Sequence, residues 1–372
     1  MVRPGSRDTG DTHALPQQFI YSHSKTAGMV LTNAPADDAG SPALVRSDFP
    51  VTTIDGQTIH VREIRPPDGP GEEPLILVHG ARVPGIASFD LDVPHGSLAA
   101  DLASRLGRTV YIMDARGYGG SSRSVAMDKP PGESPPLSRA YEVVRDIDAV
   151  VREALRRNGG TRVGLFGWAT GGMWAAYYAS LWPDRVGHLV MLNTLYGGAS
   201  EHPAIGPGSP ISDPEHPDRF TPDAGGYALN DSASLLPSWD RSIPSTDKAD
   251  WRDPAVAEAY AKAALQSDPL SDRHSPPAFR APMGAMEDSF YQAGGRRLFD
   301  ASPVTSPVLV IRSERDFWSR PQDARAFAHD AVHAANVRIV TIPDATHYVH
   351  LDRPEHGRDQ LMSELIGFFT QR

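Results

Sequence analysis

Small residues surround position 169 in a pattern typical of a sharp turn between a strand and a helix. The segment reads Gly-Trp-Ala-Thr-Gly-Gly over residues 167–172. Such a turn strains its central residue and presents it to substrate, and Cβ atoms at the flanking positions would collide with the helix. The pattern predicts a nucleophile at position 169, but Ala169 has no nucleophilic atom. Thr170 lies one residue after the position predicted for the nucleophile, and we expect its side chain to point away from the cleft.

Candidates for an acid and a base follow two later apolar runs. Asp316 comes shortly after one run and His347 directly after the last one. A histidine on a short loop can act as a general base, and a carboxylate can orient it and stabilise its charged form. Glu314 is the competing carboxylate. His350 is the alternative base, which we rank lower because it lies further into the loop.

Two backbone amides are candidate donors to an oxyanion. Gly80 directly follows His79 at the end of an apolar run, so the chain can turn sharply and point the amide of Ala81 into a cleft. The amide of Thr170 lies at a predicted helix N-terminus, where the helix dipole favours negative charge. A dinucleotide site is excluded, because neither the turn at residues 167–172 nor the glycine-rich residues 117–122 match G-x-G-x-x-G.

Three side chains near these turns are candidates for substrate binding. Trp168 and Met173 flank position 169, and they either line the pocket or pack in the core. Arg82 lies beside the predicted oxyanion turn and could bind a substrate carboxylate. A solvated arginine, or one paired with Asp90 or Asp92, is the simpler expectation for that position.

Strands and helices alternate along most of the chain, and each candidate follows a strand. An alternating pattern on both sides of Asp55-Gly56 predicts a hairpin over residues 51–64. Apolar runs predict strands at residues 74–78, 109–113, 162–166, 186–192, 308–311 and 337–342. Helices are predicted at residues 97–106, around 144–158, from about 171, and at 254–265, 322–332 and 354–369. This order predicts an α/β fold with a mainly parallel sheet, helices on both faces, and a site at the carboxyl ends of the strands.

The alternation lapses once, which predicts the domain organisation. Residues 1–45 are expected to form an extended or partly disordered arm, and residues 46–196 with 304–372 form the core. Residues 197–303 are rich in Pro, Asp and Ser, and we expect them to form a cap inserted between two strands. The aromatic residues of this cap either line the pocket or form a small core of its own: Trp239, Trp251, Phe290 and Tyr291.

Composition excludes several classes of protein. The chain has 372 residues and a net charge of −10, which argues against nucleic-acid binding. No apolar run is long enough to span a membrane, and the first residues lack a secretory signal, so a cytoplasmic location is expected. The absence of cysteine excludes disulfides and a cysteine nucleophile. The 14 histidines show no metal-ligand spacing. We expect no metal and no organic cofactor; a homo-oligomer is compatible with the sequence.

The order of the candidates matches a known family. The nucleophile position, Asp316 and His347 follow one another as Ser, Asp and His do in α/β hydrolases. Over residues 50–370 the chain resembles that superfamily, in the lidded subgroup with carboxylesterases, epoxide hydrolases, C–C bond hydrolases and aminopeptidases. Residues 113–121 resemble its D-x-R-G-x-G-x-S stretch, which implies that Asp114 and Arg116 bind backbone near the site. Residues 349–354 resemble the segment that follows the family's histidine.

The departure at Ala169 has three explanations. The first, which we favour, is that alanine replaces a serine in a hydrolase of small carboxylic esters or lactones that works by acyl transfer. The second is a natural enzyme without a serine, for instance a lyase or one in which His347 activates water. The third is a ligand-binding receptor, which has no use for a retained His–Asp pair. Epoxide hydrolases and dehalogenases need an aspartate at this position, so Ala169 does not support assigning either function to this chain.

Overall fold

The central element is a mostly parallel sheet of eight strands. The computed structural model describes residues 43–69, 71 and 73–371, so the expected N-terminal arm lies almost wholly outside the described residues. The strand order is β1-β2-β4-β3-β5-β6-β9-β10. Only β2 runs antiparallel to its neighbours, β1 and β4. The strands are β1 Val45–Thr52, β2 Thr58–Arg65, β3 Leu75–Val78, β4 Val110–Met113, β5 Val163–Trp168, β6 Val186–Leu192, β7 Tyr227–Asp231, β8 Ala278–Pro282, β9 Val308–Ser313 and β10 Val337–Ile342.

The hairpin at the start of the sheet turns at Gly56, which has a positive φ of 81°. It begins earlier than the sequence indicates, because β1 starts at Val45 rather than at residue 51. The first half of β1 alternates charged residues on a half-buried face. One of them, Asp48, accepts hydrogen bonds from Arg62 of β2 at 2.9 and 2.8 Å. A strand stabilised by cross-strand ion pairs lacks the apolar alternation that predicts strands.

Helices cover the sheet, as the alternation predicts. All residues of β3, β4 and β5 are buried, which explains their continuous apolar runs. Helix α3 packs against α4, and α2 packs against α9. Gly107 and Gly159 end α2 and α3 in the left-handed conformation. The helices are α1 Gly85–Phe89, α2 Leu98–Leu106, α3 Ala140–Asn158, α4 Thr170–Leu181, α5 Pro237–Ser242, α6 Pro254–Gln266, α7 Gly284–Ala293, α8 Pro321–Asp330 and α9 Arg358–Phe369.

The segment between β6 and β9 holds α5, α6, α7 and the two-stranded antiparallel sheet of β7 and β8. The sequence predicts α6 alone. The paired strands β7 and β8 are short and lie far apart in the chain, so no turn between them indicates a hairpin. Helix α1 has five residues, which are too few to show a helical period of apolar residues in the sequence. No helix in the described part of the chain has the length and apolarity that a membrane span requires.

Candidate active site

A cavity of about 280 Å³ opens where the carboxyl ends of the parallel strands meet. The turn after β3 contributes Ala81, the turn after β5 contributes Ala169, and the loop after β10 contributes His347. The segment between β6 and β9 supplies the opposite part of the wall. The full lining is Gly80, Ala81, Arg82, Val83, Trp168, Ala169, Thr170, His202, Ala204, Ile205, Ser238, Arg241, Tyr260, Met286, Phe317, Trp318, His347 and Tyr348.

Ala169 occupies the strained turn between β5 and α4. Its φ of 52° and ψ of −119° lie outside the regions that alanine prefers, a conformation that costs on the order of 1–3 kcal/mol. The neighbouring glycines allow the close approach that forces this turn. A Cβ on Gly167 would lie 2.2 Å from the carbonyl oxygen of Gly171, as the sequence indicates. A Cβ on Gly171 would instead collide with β3, at 2.2 Å from the carbonyl oxygen of Val78.

His347 and Asp316 form a buried hydrogen-bonded pair beside this turn. His347 Nδ1 lies 2.6 Å from Asp316 Oδ1, and both side chains are almost completely buried. The backbone amides of Trp318 and Ser319 donate to the Asp316 carboxylate at 3.0 and 2.8 Å, and the Ser319 hydroxyl donates as well. Because a carboxylate only accepts, Nδ1 carries the proton in this hydrogen bond, and Nε2 is the ring nitrogen left to act as a base.

The two competing residues lie elsewhere. Glu314 is exposed, and its Oε2 accepts a hydrogen bond from the Asp344 amide at 2.8 Å. His350 is fully buried beside Trp168, away from the cavity wall, and its ring nitrogens have no hydrogen-bond partner among the described residues. Burial lowers the pKa of His350 to about 3. The fold therefore pairs Asp316 with His347 and leaves out both alternatives.

The two candidate oxyanion donors also meet at the cavity. In the described part of the chain, neither the Ala81 amide nor the Thr170 amide donates a hydrogen bond, and both residues line the cavity. Buried amides without a protein partner are the groups that can stabilise a developing oxyanion. The Thr170 hydroxyl lies 3.3 Å from Ser289 Oγ, a residue outside the cavity wall.

His79 holds the first of these turns in place, a role that we did not predict from the sequence. The Ala115 amide donates to His79 Nε2 at 3.0 Å, so Nδ1 must carry the proton, and it donates to the Gly80 carbonyl at 2.7 Å. Burial lowers the pKa of His79 and favours this neutral form. In a trans peptide the N–H points opposite to the C=O. Fixing the Gly80 carbonyl therefore fixes the direction of the Ala81 amide.

Comparison with protein families agrees with this geometry. A model of the alpha/beta hydrolase fold matches residues 73–354. The chain belongs to this family. No curated protein sequence matches the chain. All of the following similarities to solved structures concern the fold, because the identities are low.

Three solved structures illustrate the likeness. An enol-lactonase from Burkholderia xenovorans is 14% identical, covering 87% of this chain and 100% of that chain, with a TM-score of 0.52. A putative aryl esterase from Burkholderia cenocepacia is 16% identical, covering 87% of this chain and 100% of that chain, with a TM-score of 0.53. A laboratory-evolved variant of potato epoxide hydrolase is 17% identical over 87% and 98%, with a TM-score of 0.55.

The predicted substrate-binding residues of this α/β hydrolase divide between cavity and core. Trp168 lines the cavity, and its Nε1 donates to the backbone carbonyl of His347 at 3.0 Å, which ties the β5 turn to the base. Met173 does not line it, and this prediction is wrong. Every residue of the first turn and a half of α4 is buried, so the side chain of Met173 is wholly enclosed in the core.

Arg82 lies on the cavity wall with neutral partners. Its Nε and Nη2 donate to Asn230 Oδ1 at 3.0 and 2.8 Å, and Nη2 also donates to the hydroxyl and carbonyl oxygens of Ser234. The expected pairing with Asp90 or Asp92 is not found, since Asp90 instead accepts from arginines of the β1–β2 hairpin. The guanidinium therefore reaches across to the segment between β6 and β9.

Asp114 and Arg116 have different roles, although the family resemblance implies the same one for both. Asp114 binds backbone as implied, accepting from the amides of Gly85 and Gly120 at 2.8 and 3.0 Å. The guanidinium of Arg116 binds carboxylates instead, with Nη2 at 2.7 Å from Asp146 Oδ1. The implied backbone contact of the Arg116 side chain is therefore wrong, because three acidic side chains, Asp55, Glu142 and Asp146, surround its guanidinium.

The aromatic residues expected in the cap do not line the cavity. Trp239 is completely buried, stacks on Tyr348 and donates from Nε1 to Asp352 Oδ1 at 2.7 Å. Phe290 is also completely buried, and neither Trp251 nor Tyr291 reaches the wall. Trp239 and Phe290 instead pack against aromatic residues of other segments, Tyr348 and Phe220. Within the described residues, no cluster of three or more His, Cys, Asp or Glu could hold a metal ion.

Proposed function

We propose that this α/β hydrolase is the scaffold of a serine hydrolase that acts on a small carboxylic ester or lactone, with alanine in place of the serine. The observation that carries the proposal is the strained backbone of Ala169, which faces the same cavity as the His347–Asp316 pair. Backbone strain of this kind persists only where the surrounding structure imposes it, and it is concentrated at functional sites. An alanine has no reactive atom that this strained backbone conformation could present to a substrate.

The mechanism assigns one role to each group. With a serine at position 169, His347 Nε2 removes the hydroxyl proton as the oxygen attacks the ester carbonyl, and Asp316 stabilises the imidazolium. The amides of Ala81 and Thr170 donate to the oxyanion, each contributing roughly 3 kcal/mol to transition-state stabilisation. The imidazolium then protonates the leaving alcohol. His347 next deprotonates a water molecule as it attacks the acyl-enzyme, and the imidazolium protonates the serine oxygen as the carboxylic acid product is released.

Two features support an ester or lactone as the substrate. The cavity volume of about 280 Å³ suits a small molecule. Structures of similar fold include proteins described as an enol-lactonase and as a putative aryl esterase. With alanine at position 169, the chain is expected to bind such an ester without forming an acyl-enzyme. The retained His347–Asp316 pair also suits a second function, in which His347 activates water directly or serves a lyase reaction.

The deciding experiment compares 4-nitrophenyl ester turnover by this chain and by its Ala169→Ser variant. We expect only the serine variant to turn over, with a burst of nitrophenol, a gain of about 10⁴-fold or more, and labelling by a serine-directed phosphonate. The matched control is Ala169→Ser combined with His347→Ala, which should return to the background rate. Turnover by the unaltered chain that disappears in His347→Ala would instead support water activation. Binding without turnover in every variant would support a receptor.

A further inference from the structure

The cavity contains two guanidinium groups and no carboxylate to neutralise them. Arg82 and Arg241 line it, and no aspartate or glutamate does. Among the described residues, no carboxylate oxygen lies within the 4.0 Å of an ion pair from either group. The neighbouring carboxylate, Asp316, is wholly buried and hydrogen-bonded to His347. Arg82 is half-buried and Arg241 is exposed. The buried or half-buried arginines elsewhere in the described part of the chain are mostly paired with carboxylates, including Arg46, Arg62, Arg116, Arg139, Arg280, Arg320 and Arg358.

Arg82 is held in place by neutral partners, so no opposite charge offsets its own. Asn230 and Ser234 accept its Nε and Nη2 protons, and these oxygens are neutral. Its Nη1 makes no hydrogen bond within the described part of the chain. Arg241 donates one hydrogen bond, from Nη2 to Ser238 Oγ at 3.3 Å. Donors therefore remain on both groups, and a guanidinium fixed by neutral partners is pre-organised to bind an anion.

Both positive charges act on the same part of the wall. Burial raises the pKa of Tyr348 to about 12, while Arg82 and Arg241 oppose that rise. Arg82 also directly follows Ala81, the candidate oxyanion donor. A positive field in a partly desolvated cavity raises the local concentration of anions, and the planar guanidinium matches the two oxygens of a carboxylate.

We propose that the cavity selects esters or lactones that carry a free carboxylate, which Arg82 and Arg241 bind while the scissile carbonyl lies against position 169. The proposal rests on the proposed function and names its substrate class. The small cavity volume implies a short acyl or alkoxy chain between carboxylate and carbonyl.

The test uses matched pairs of esters in the Ala169→Ser variant. The monoethyl esters of succinate, glutarate and adipate are each compared with the ethyl ester in which an isopropyl group replaces the carboxylate, and ethanol release gives kcat/KM. We expect the charged member of the best pair to be preferred, and Arg82→Gln or Arg241→Gln to reduce that preference by about 10- to 100-fold. Arg82→Lys should restore part of it. Arg152→Gln, an exposed site on α3, changes net charge equally and should leave the preference unchanged.

The outcomes separate the two proposals. Turnover of the uncharged esters with no preference for the charged ones, or a preference that survives both glutamine substitutions, overturns the substrate class and leaves the proposed function standing. If the Ala169→Ser variant hydrolyses no ethyl ester of any pair and no 4-nitrophenyl ester, the proposed function fails. Calorimetry on the Ala169 chain then decides the substrate class. Binding of monoethyl glutarate that weakens about tenfold or more in Arg82→Gln, but not in Arg152→Gln, supports it. No binding, or equal binding, overturns it.

Discussion

The aspartate at the start of α8 offers the sharpest test of how the cavity wall is held. Asp323 is buried, and its Oδ1 accepts hydrogen bonds from the amides of Tyr196, Gly197 and Gly198 at 3.0, 3.0 and 2.8 Å. Its Oδ2 accepts from Arg320 Nε at 2.8 Å. One carboxylate thus connects the chain leaving β6, the start of α8 and a half-buried arginine.

Arg320 extends this connection to both ends of the segment between β6 and β9. Its Nη1 and Nη2 donate to the carbonyl oxygens of Ala199, Glu201, Gln292 and Ala293 at 2.8–3.2 Å. The first of these stretches leads directly into His202 and Ile205 on the cavity wall. Removing the Asp323 carboxylate should therefore loosen the wall as well as destabilise the fold.

The magnitude follows from the groups left behind. Asp323→Ala leaves four backbone amides without this acceptor, those of Tyr196, Gly197, Gly198 and Arg320, and it leaves the Arg320 guanidinium without its charge partner. Breaking one member of a buried ion pair costs about 3–5 kcal/mol. In Asp323→Asn the side-chain oxygen can still accept from the amides of Tyr196, Gly197 and Gly198. The charge is lost, and an NH2 group replaces the Oδ2 acceptor that faces Arg320, so we expect about two-thirds of that cost. Urea unfolding followed by circular dichroism measures both variants against the unaltered chain.

Two results would refute this reasoning. A loss below about 1 kcal/mol in Asp323→Ala would show that water replaces the carboxylate at little cost. Equal losses in Asp323→Ala and Asp323→Asn would show that the ion pair with Arg320, and not the amide contacts, carries the stability.

Two further predictions concern buried groups near the site. In the Ala169→Ser background, His79→Ala should lower kcat by about 10- to 100-fold with little change in KM, because the Ala81 amide loses its fixed direction; a fall in melting temperature with unchanged kcat would contradict this role. Burial raises the pKa of Asp352 from the usual range of an aspartate to about 7, so the stability that the protonated group contributes is present below about pH 4 and is lost as the pH rises to about 7. The unfolding free energy of the unaltered chain relative to Asp352→Asn should therefore fall over that range, by up to about 1.4 kcal/mol per pH unit, and a difference independent of pH would contradict it.

Much of the core could be predicted because its signals are local. A strand buried on both faces needs consecutive apolar residues, and β3, β4 and β5 show such runs. A helix that ends in the left-handed conformation favours glycine, which predicts the ends at Gly107 and Gly159. The strained turn at Ala169 needs small neighbours, and the sequence shows them.

The segment between β6 and β9 gave weaker signals. Its short helices and the paired strands β7 and β8 are stabilised by contacts with distant residues, such as the hydrogen bond from Trp239 to Asp352. Propensity is a weak guide where tertiary contacts decide the structure. For the same reason the cavity wall contributed by His202, Tyr260 and Met286 could not be predicted.

The sequence by itself determined the order of the core strands and the place of Ala169, Asp316 and His347 after three of them, because apolar runs and glycine positions are read within a few residues. Only the tertiary structure decided that Asp316, and not Glu314, meets His347, because that choice depends on how two loops from β9 and β10 fold over the sheet. The same holds for Arg82, whose partners lie 148 and 152 residues further along the chain. Contacts between residues so far apart leave no local pattern, since they arise only when the whole sheet and its insertion have formed.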